Sequence, residues 1–246
     1  MRNIRIKVAY EGTRYQGWQK QETSENTIQG KLEMLLSRMC EEKITVQGSG
    51  RTDAGVHALG QIVNFHTTCT MGTEEMLQYM NRYLPEDIAV VEIAEASERF
   101  HSRLNAVGKR YSYRVWNSSI PNVFLRRYAY TVTEQLDIEA MRRAASYLVG
   151  EHDFKAFTSA KKGKKSTLRR IDSVDISGKG DLLTFTFTGN GFLYHMIRIL
   201  VGTLLEVGRG ERDETSIPAL IASKDREKAG PLMPGKGLVL EEVFYD

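Results

Sequence analysis

The sequence predicts an α+β protein made of two similar halves. Three observations carry this. Short segments of strict apolar–polar alternation recur along the chain, the mark of half-buried strands. Between them lie stretches whose apolar residues recur at three- and four-residue spacing, the mark of helices with one buried face. Each half runs in the order β-α-β-β-α-β, the ferredoxin-like split motif. Antiparallel sheets from the two halves are expected to form one extended central sheet. Residues 1–103 make the N-terminal half and 104–246 the C-terminal half, joined near 100–108; identity between the halves is slight, so the repeat is one of pattern.

In the first half, Ile4, Ile6, Val8 and Tyr10 alternate with polar or small residues and predict a strand. Thr27 to Cys40 places Ile28, Leu32, Leu35, Leu36 and Met39 on one helical face, with Asn26 or Thr27 as the cap. Lys43–Gly48 and Gln61–Thr67 read as strands, and Thr73 opens a second helix with Glu74 and Glu75 in its dipole-complementing first turn. Ile88–Glu95 closes the half as a strand. In the second half, Arg110–Trp116 is a strand with Tyr111 and Tyr113 on one face. Leu136–Leu148 is a helix burying Met141, Ala144, Ala145 and Leu148, ended by Gly150. Ile171–Ile176 and Leu182–Thr188 form a hairpin turned at Gly178-Lys179-Gly180. Leu193–Val207 is a strongly apolar helix, and Leu238–Tyr245 a final strand.

Composition narrows the class. A chain of 246 residues buries roughly 70–75% of its unfolded surface, enough for a sizeable core. With 34 basic against 31 acidic residues the net charge is only +3, so any polyanionic partner must be met by local charge. Cys40 and Cys69 fall in no C-x-x-C pattern, and the five histidines have no ligand spacing, so neither a disulfide framework nor a metal site is expected. The alternation starts at the first residues and no apolar run approaches the ~20 residues of a membrane span. No signal peptide, no membrane association and a reducing, cytoplasmic setting are the expectation.

The stretch richest in chemistry is Gly48-Ser49-Gly50-Arg51-Thr52-Asp53-Ala54-Gly55-Val56-His57-Ala58, between two predicted strands. Its glycines allow sharp turns and close approach of a ligand, and it sets Arg51 two residues before Asp53. An ordinary hairpin loop with solvated charges satisfies the same spacing.

The wider pattern decides. GRTDAGVHALGQ resembles the catalytic motif of the TruA family of tRNA pseudouridine synthases, and four further segments match in order. Tyr10 to Gln19 is similar to the family's Y-x-G-T-x-Y-x-G-W-Q. Phe100-His101-Ser102-Arg103 with Arg110-Tyr111-Ser112-Tyr113 is similar to F-H-A-R and R-Y-x-Y. Tyr147 to Phe157 resembles Y-L-x-G-x-H-D-F-x-x-F, and Gly191 to Gly202 resembles G-F-L-x-x-M-I-R-x-x-V-G. Leu104 departs from the family's usual aromatic, and the tail 231–238 keeps only part of A-P-x-x-G-L.

The resemblance implies the pseudouridine synthase fold and isomerisation of uridine in the anticodon stem-loop of tRNA, at positions 38 to 40, by a homodimer without cofactor or metal. The reaction breaks the bond from the base nitrogen to C1′, turns the base and rejoins it through C5. It asks for one carboxylate near the ribose, either as nucleophile at C1′ or as base at C2′. The resemblance makes Asp53 that carboxylate and Arg198 the cation that keeps it ionised against burial; an arginine among Met196, Ile197, Ile199, Leu200 and Val201 wants a partner. Tyr111 offers a ring on which the target base stacks, and Arg51 fills the gap left by an extruded nucleotide. Arg103 and His57 are expected to contact RNA, while His101, His152 and His195 are structural or RNA-contacting. Asp153 is the rival carboxylate, for which a turn role suffices.

Lys161, Lys162, Lys164 and Lys165 lie in a segment (161–170) with six basic residues in ten, broken by Gly, Ser and Thr. It lacks helical periodicity, so a loop gripping phosphates is the expectation. Two other classes fit the sequence less well. A non-catalytic RNA-binding module has no use for the Arg51-Thr52-Asp53 loop, and a nucleoside or sugar hydrolase wants two carboxylates where this loop has one.

Overall fold

A computed structural model describes residues 1–160 and 166–246. Within these, the elements run in the order β1 (Arg2–Tyr10), α1 (Ile28–Cys40), β2 (Gln47–Gly48), β3 (His57–Thr67), α2 (Thr73–Tyr83), β4 (Ile88–Ala96), β5 (Ala106–Asn117), β6 (Tyr130–Val132), α3 (Ile138–Ser146), β7 (Gly150–Asp153), β8 (Leu168–Lys179), β9 (Leu182–Gly189), α4 (Met196–Gly208), α5 (Ile217–Ser223) and β10 (Leu238–Tyr245). The chain divides into two units, Met1–Val107 with Val239–Asp246, and Gly108–Leu238.

In the first unit β1 runs antiparallel between β4 and β3. Ile4, Ile6 and Val8 are fully buried, as their alternation requires, each contributing about 1.5–3 kcal/mol of apolar burial. The far edge of β3 is shared. β2 pairs antiparallel with one end, Gln47 opposite Asn64 and Gly48 opposite Val63. β10 pairs parallel with the other, Val239 opposite His57 and Leu240 opposite Ala58. Chain order assigns β10 to the second half, but this register groups it with the first unit. The Thr27 hydroxyl caps α1, accepting the Gly30 N–H at 3.1 Å, and the predicted face of Ile28, Leu32, Leu35, Leu36 and Met39 is the buried one.

The predicted strand over Lys43–Gly48 shrinks to β2. The Ile44 N–H donates to Ser37 Oγ at 2.9 Å and the Val46 N–H to Glu33 Oε1 at 3.2 Å. Side chains of α1 thus take the donors that a neighbouring strand would have taken, while Ile44 and Val46 still bury. β3 starts four residues earlier than expected, so His57 belongs to a strand rather than to the glycine-rich loop.

In the second unit β5 pairs with β9, β9 with β8, and β8 with β7, all antiparallel, and β6 lies parallel beside β5. Tyr113 faces Phe185 and Tyr111 faces Phe187 across the β5–β9 ladder. The hairpin turns on Gly180-Asp181 rather than on Gly178-Lys179-Gly180, because Lys179 still pairs with Leu182 and Gly180 takes φ +59°. α3 ends at Ser146; Gly150, at φ +112°, opens β7 instead of capping the helix. α4 is apolar on nearly all sides because all but Arg198 and Glu206 of it is buried.

Candidate active site

Residues 49–56 connect β2 to β3, and the framework satisfies their polar groups one by one. The Ser49 N–H donates to the Ile62 carbonyl at 2.8 Å and its hydroxyl to Gln61 Oε1 at 2.5 Å. The Gln61 amide, fully buried, returns a bond to the Gly50 carbonyl at 2.8 Å. Thr52 Oγ1 lies 2.8 Å from the Tyr10 hydroxyl, and the Thr52 carbonyl accepts the Trp18 N–H at 2.9 Å. The Asp53 carbonyl accepts the Val56 N–H at 3.2 Å, closing a turn in which Gly55 takes φ +76°. Burial pushes the Tyr10 phenol up, against hydrogen bonds from Thr52 and Gln61, so it stays a neutral hydroxyl.

Two glycines from outside the loop press on it. A Cβ on Gly12 would stand 2.0 Å from the Val56 carbonyl oxygen. One on Gly17, at φ +91°, would stand 2.7 Å from the Thr52 carbonyl oxygen and 3.1 Å from the Asp53 carbonyl carbon. Beneath the loop, Trp18 packs its ring on Gly48. The loop is therefore clamped on its inner side. Thr52 and Val56 are buried, Asp53 is half-buried, and Arg51 and Ala54 are exposed.

His57 is a buried residue of β3, 4% exposed, and its Nδ1 accepts the Gly12 N–H at 3.0 Å. Its ring holds the turn after β1 onto β3. With Nδ1 an acceptor, the proton of the neutral imidazole sits on Nε2. Glu11 lies 4.0 Å from the same Nδ1.

Arg103 is exposed on the turn 101–105. His101 Nδ1 accepts the N–H of Arg103 at 3.1 Å, and the His101 N–H donates to Asn105 Oδ1 at 2.7 Å. Ser102 anchors the turn from inside: its hydroxyl donates to the Gln47 carbonyl at 2.5 Å and its carbonyl accepts the Tyr245 hydroxyl at 2.6 Å.

In the second unit Tyr111 is buried to 8% exposure, its ring meeting Phe192 edge-on at 5.5 Å. Arg198 is half-buried in the first turn of α4, and its Nε donates to the Met233 carbonyl at 2.6 Å. The hydroxyl of Tyr113 donates to the neighbouring Pro234 carbonyl at 2.8 Å. Burial pushes the Tyr113 phenol up, partly opposed by the Arg198 cation. Asp153 serves the turn after β7, accepting the Lys155 N–H at 3.2 Å and the Thr167 hydroxyl, and pairs with Lys224 Nζ at 2.8 Å. Lys224 and Thr167 hold its carboxyl below the usual range. Lys161, Lys162, Lys164 and Lys165 lie outside the described residues. Among the described residues no cluster of three His, Cys, Asp or Glu side chains could hold a metal ion, and no helix is long and apolar enough to cross a membrane.

Sequence reasoning missed the supports of the loop: Tyr10 and Gln61 as hydrogen-bond partners and Gly12 and Gly17 as close approaches. Their only signal is the Tyr10–Gln19 segment, whose spacing says nothing of what it touches.

These features define an α+β protein that presents a carboxylate on a braced, glycine-containing loop. A family described as tRNA pseudouridine synthase matches residues 6–105 and 144–246. The chain belongs to the tRNA pseudouridine synthase family. It is 44% identical over 245 residues to tRNA pseudouridine synthase A of Bacillus sp. (strain KSM-64) and 43% identical over 245 residues to that of Acetivibrio thermocellus, each alignment covering 100% of both chains. It is 43% identical over 246 residues to tRNA pseudouridine synthase A 2 of Clostridium tetani, covering 100% of this chain and 99% of that one. Among solved structures, a chain of a Cbf5-Nop10-Gar1 complex aligns with 82% of this chain and 45% of its own length, at 13% identity and a TM-score of 0.36.

Proposed function

We propose that this protein is an isomerase that converts uridine to pseudouridine in the anticodon stem-loop of tRNA, at positions 38, 39 and/or 40, with the Asp53 carboxylate acting at the ribose and no cofactor. The observation that carries the reading is full-length kinship with tRNA pseudouridine synthases in a chain whose Asp53 loop is held rigid from within and open to solvent at Arg51 and Ala54.

Two routes use the same carboxylate. As nucleophile, Asp53 attacks C1′, the C1′–N1 bond electrons leave with the uracil, and the rotated base returns through C5 and displaces the carboxylate. As base, it takes the C2′ proton while uracil departs, giving a glycal that the rotated base adds to as the proton returns. Either way the C5 proton is lost at the end and N1 gains one, so no oxidant or group donor enters. Arg198 serves beside Asp53 as the second catalytic group, the Tyr111 ring receives the target base, and the exposed Arg51 guanidinium fills the stack that base vacates. Arg103 and the lysines 161, 162, 164 and 165 hold RNA phosphates, which suits a chain of small net charge with one basic segment. The enzyme works as a homodimer in the cytoplasm.

The test is release of tritium from C5-labelled uridine in unmodified tRNA, with the pseudouridines then mapped. Wild type should modify positions 38–40. Asp53→Asn should be inactive yet bind tRNA within a few-fold of wild type, since an amide neither attacks nor accepts a proton. Wild-type turnover by that variant overturns the assignment.

A further inference from the structure

The segment leading into α4 carries an aromatic pair that the chemistry above leaves unused. The rings of Tyr194 and His195 lie face to face, centroids 3.6 Å apart and planes inclined by 28°. Tyr194 is nevertheless 55% exposed. With one face against the imidazole, its exposure falls on the opposite face and the edge.

The backbone fixes this arrangement. His195 sits at φ +66°, a left-handed conformation uncommon for a residue with a side chain. The Tyr194 carbonyl accepts the Thr158 hydroxyl at 2.9 Å and the Ser159 N–H at 3.4 Å. The ring is therefore carried on a restrained segment. Two residues upstream, Phe192 meets the Tyr111 ring; three residues after His195 stands Arg198. The segment 190–198 contains no acidic residue, so nothing on it repels a phosphate backbone.

A flat ring, backed on one side and wet on the other, is the form of site on which a nucleobase stacks, since every base has a π-face. We infer that the Tyr194 ring is a second stacking platform, which takes the base of a nucleotide flanking the target uridine. This rests on the tRNA reading above. Tyr194 acts here in binding and positioning, and no bond is made or broken at it.

The test uses anticodon stem-loop RNA with 2-aminopurine placed in turn at each nucleotide beside the target uridine, and the variants Tyr194→Ala and Tyr194→Phe. Wild type should quench the fluorescence at one flanking position. Tyr194→Phe, which keeps the ring, should quench and bind like wild type, which shows in a variant that keeps the packing that the ring and not the fold is read. Tyr194→Ala should lose the quenching and bind roughly 5- to 150-fold more weakly, in line with the stacking of one base. Its slope of log affinity against log salt should stay at the wild-type value, because no phosphate contact is removed. Quenching and affinity unchanged in Tyr194→Ala overturn the inference, and so does a Tyr194→Phe as defective as the alanine variant. Wild-type pseudouridine formation on the same RNA is scored in parallel. An inactive wild type overturns the functional reading, whereas an active wild type with an indifferent Tyr194 overturns this inference alone.

Discussion

Replacing Gly17 by alanine tests whether the loop's inner clamp positions Asp53. Gly17 has φ +91°, and the added Cβ would stand 2.7 Å from the Thr52 carbonyl oxygen and 3.1 Å from the Asp53 carbonyl carbon. Two costs follow, and a second glycine separates them. Gly210 also has positive φ, +73°, but a Cβ there meets nothing within 4 Å. Gly210→Ala should therefore show backbone strain alone, about 1–2 kcal/mol by urea melting, with normal turnover. Gly17→Ala carries the same strain and must also move the Thr52 carbonyl from 2.7 Å to the 3.4 Å of ordinary contact, a shift of 0.7 Å. That carbonyl accepts the Trp18 N–H, whose weakening adds about 0.5–1.5 kcal/mol. The total, about 1.5–3.5 kcal/mol, leaves a domain of ordinary stability folded. Asp53 follows Thr52 directly, and a 1 Å misplacement of a reacting group costs about 100-fold. Single-turnover tritium release at saturating tRNA should therefore fall by tens-fold in Gly17→Ala. Turnover within two-fold of wild type, with the stability loss present, would show that this contact does not set the carboxylate's position.

Two further outcomes are expected. Arg198→Met, which removes the donor to the Met233 carbonyl, should lower single-turnover tritium release far more than tRNA affinity; normal turnover in that variant contradicts the role proposed for Arg198. Asp153 is held below the usual carboxyl range by Lys224 and Thr167, so its contribution to stability is present at neutral pH and is lost as pH falls through its lowered pKa. Asp153→Asn should be less stable than wild type at pH 7, with the gap closing below about pH 4; urea melts that stay parallel across that range contradict it.

What was legible in the sequence was whatever a single element decides for itself. The face of α1 follows from Ile28, Leu32, Leu35, Leu36 and Met39 alone, and all five are buried. β10 matches its expected bounds because Leu238–Tyr245 is a long, β-prone segment. What depends on a partner far along the chain was not legible. Lys43–Val46 has strand-like alternation, yet its N–H groups are taken by Ser37 and Glu33. α5, seven residues long with a proline in its first turn, is too short to show a period. At the site, Asp53 is singled out by resemblance and not by spacing. Its braces escaped because Tyr10 and Thr52 lie 42 residues apart. The burial of His57 was not legible either, because residue type says nothing of burial: an imidazole that accepts a backbone N–H at 3.0 Å looks in sequence like any other.

The glycines around Asp53 also change meaning once their neighbours are known. In sequence they suggest a loop opened for a ligand. In the structure Gly48 lies under the Trp18 ring, Gly12 and Gly17 lie against loop backbone, and Gly55 turns the chain. At these four positions a missing side chain serves contact within the protein or a reversal of it. An unrestrained eight-residue loop would hold its backbone entropy, about 1–2 kcal/mol per residue, and would have to give it up when substrate arrives. Here Ser49, Gly50, Thr52 and Asp53 already have backbone or side-chain partners, so the ordering of these residues precedes RNA binding. The proposed reaction needs this asymmetry. A uracil must detach, turn and return to the same C1′, so one participant moves freely while the carboxylate holds its place. A loop braced from within by Tyr10, Trp18 and Gln61, with Arg51 facing solvent, supplies the fixed participant and leaves the motion to the base.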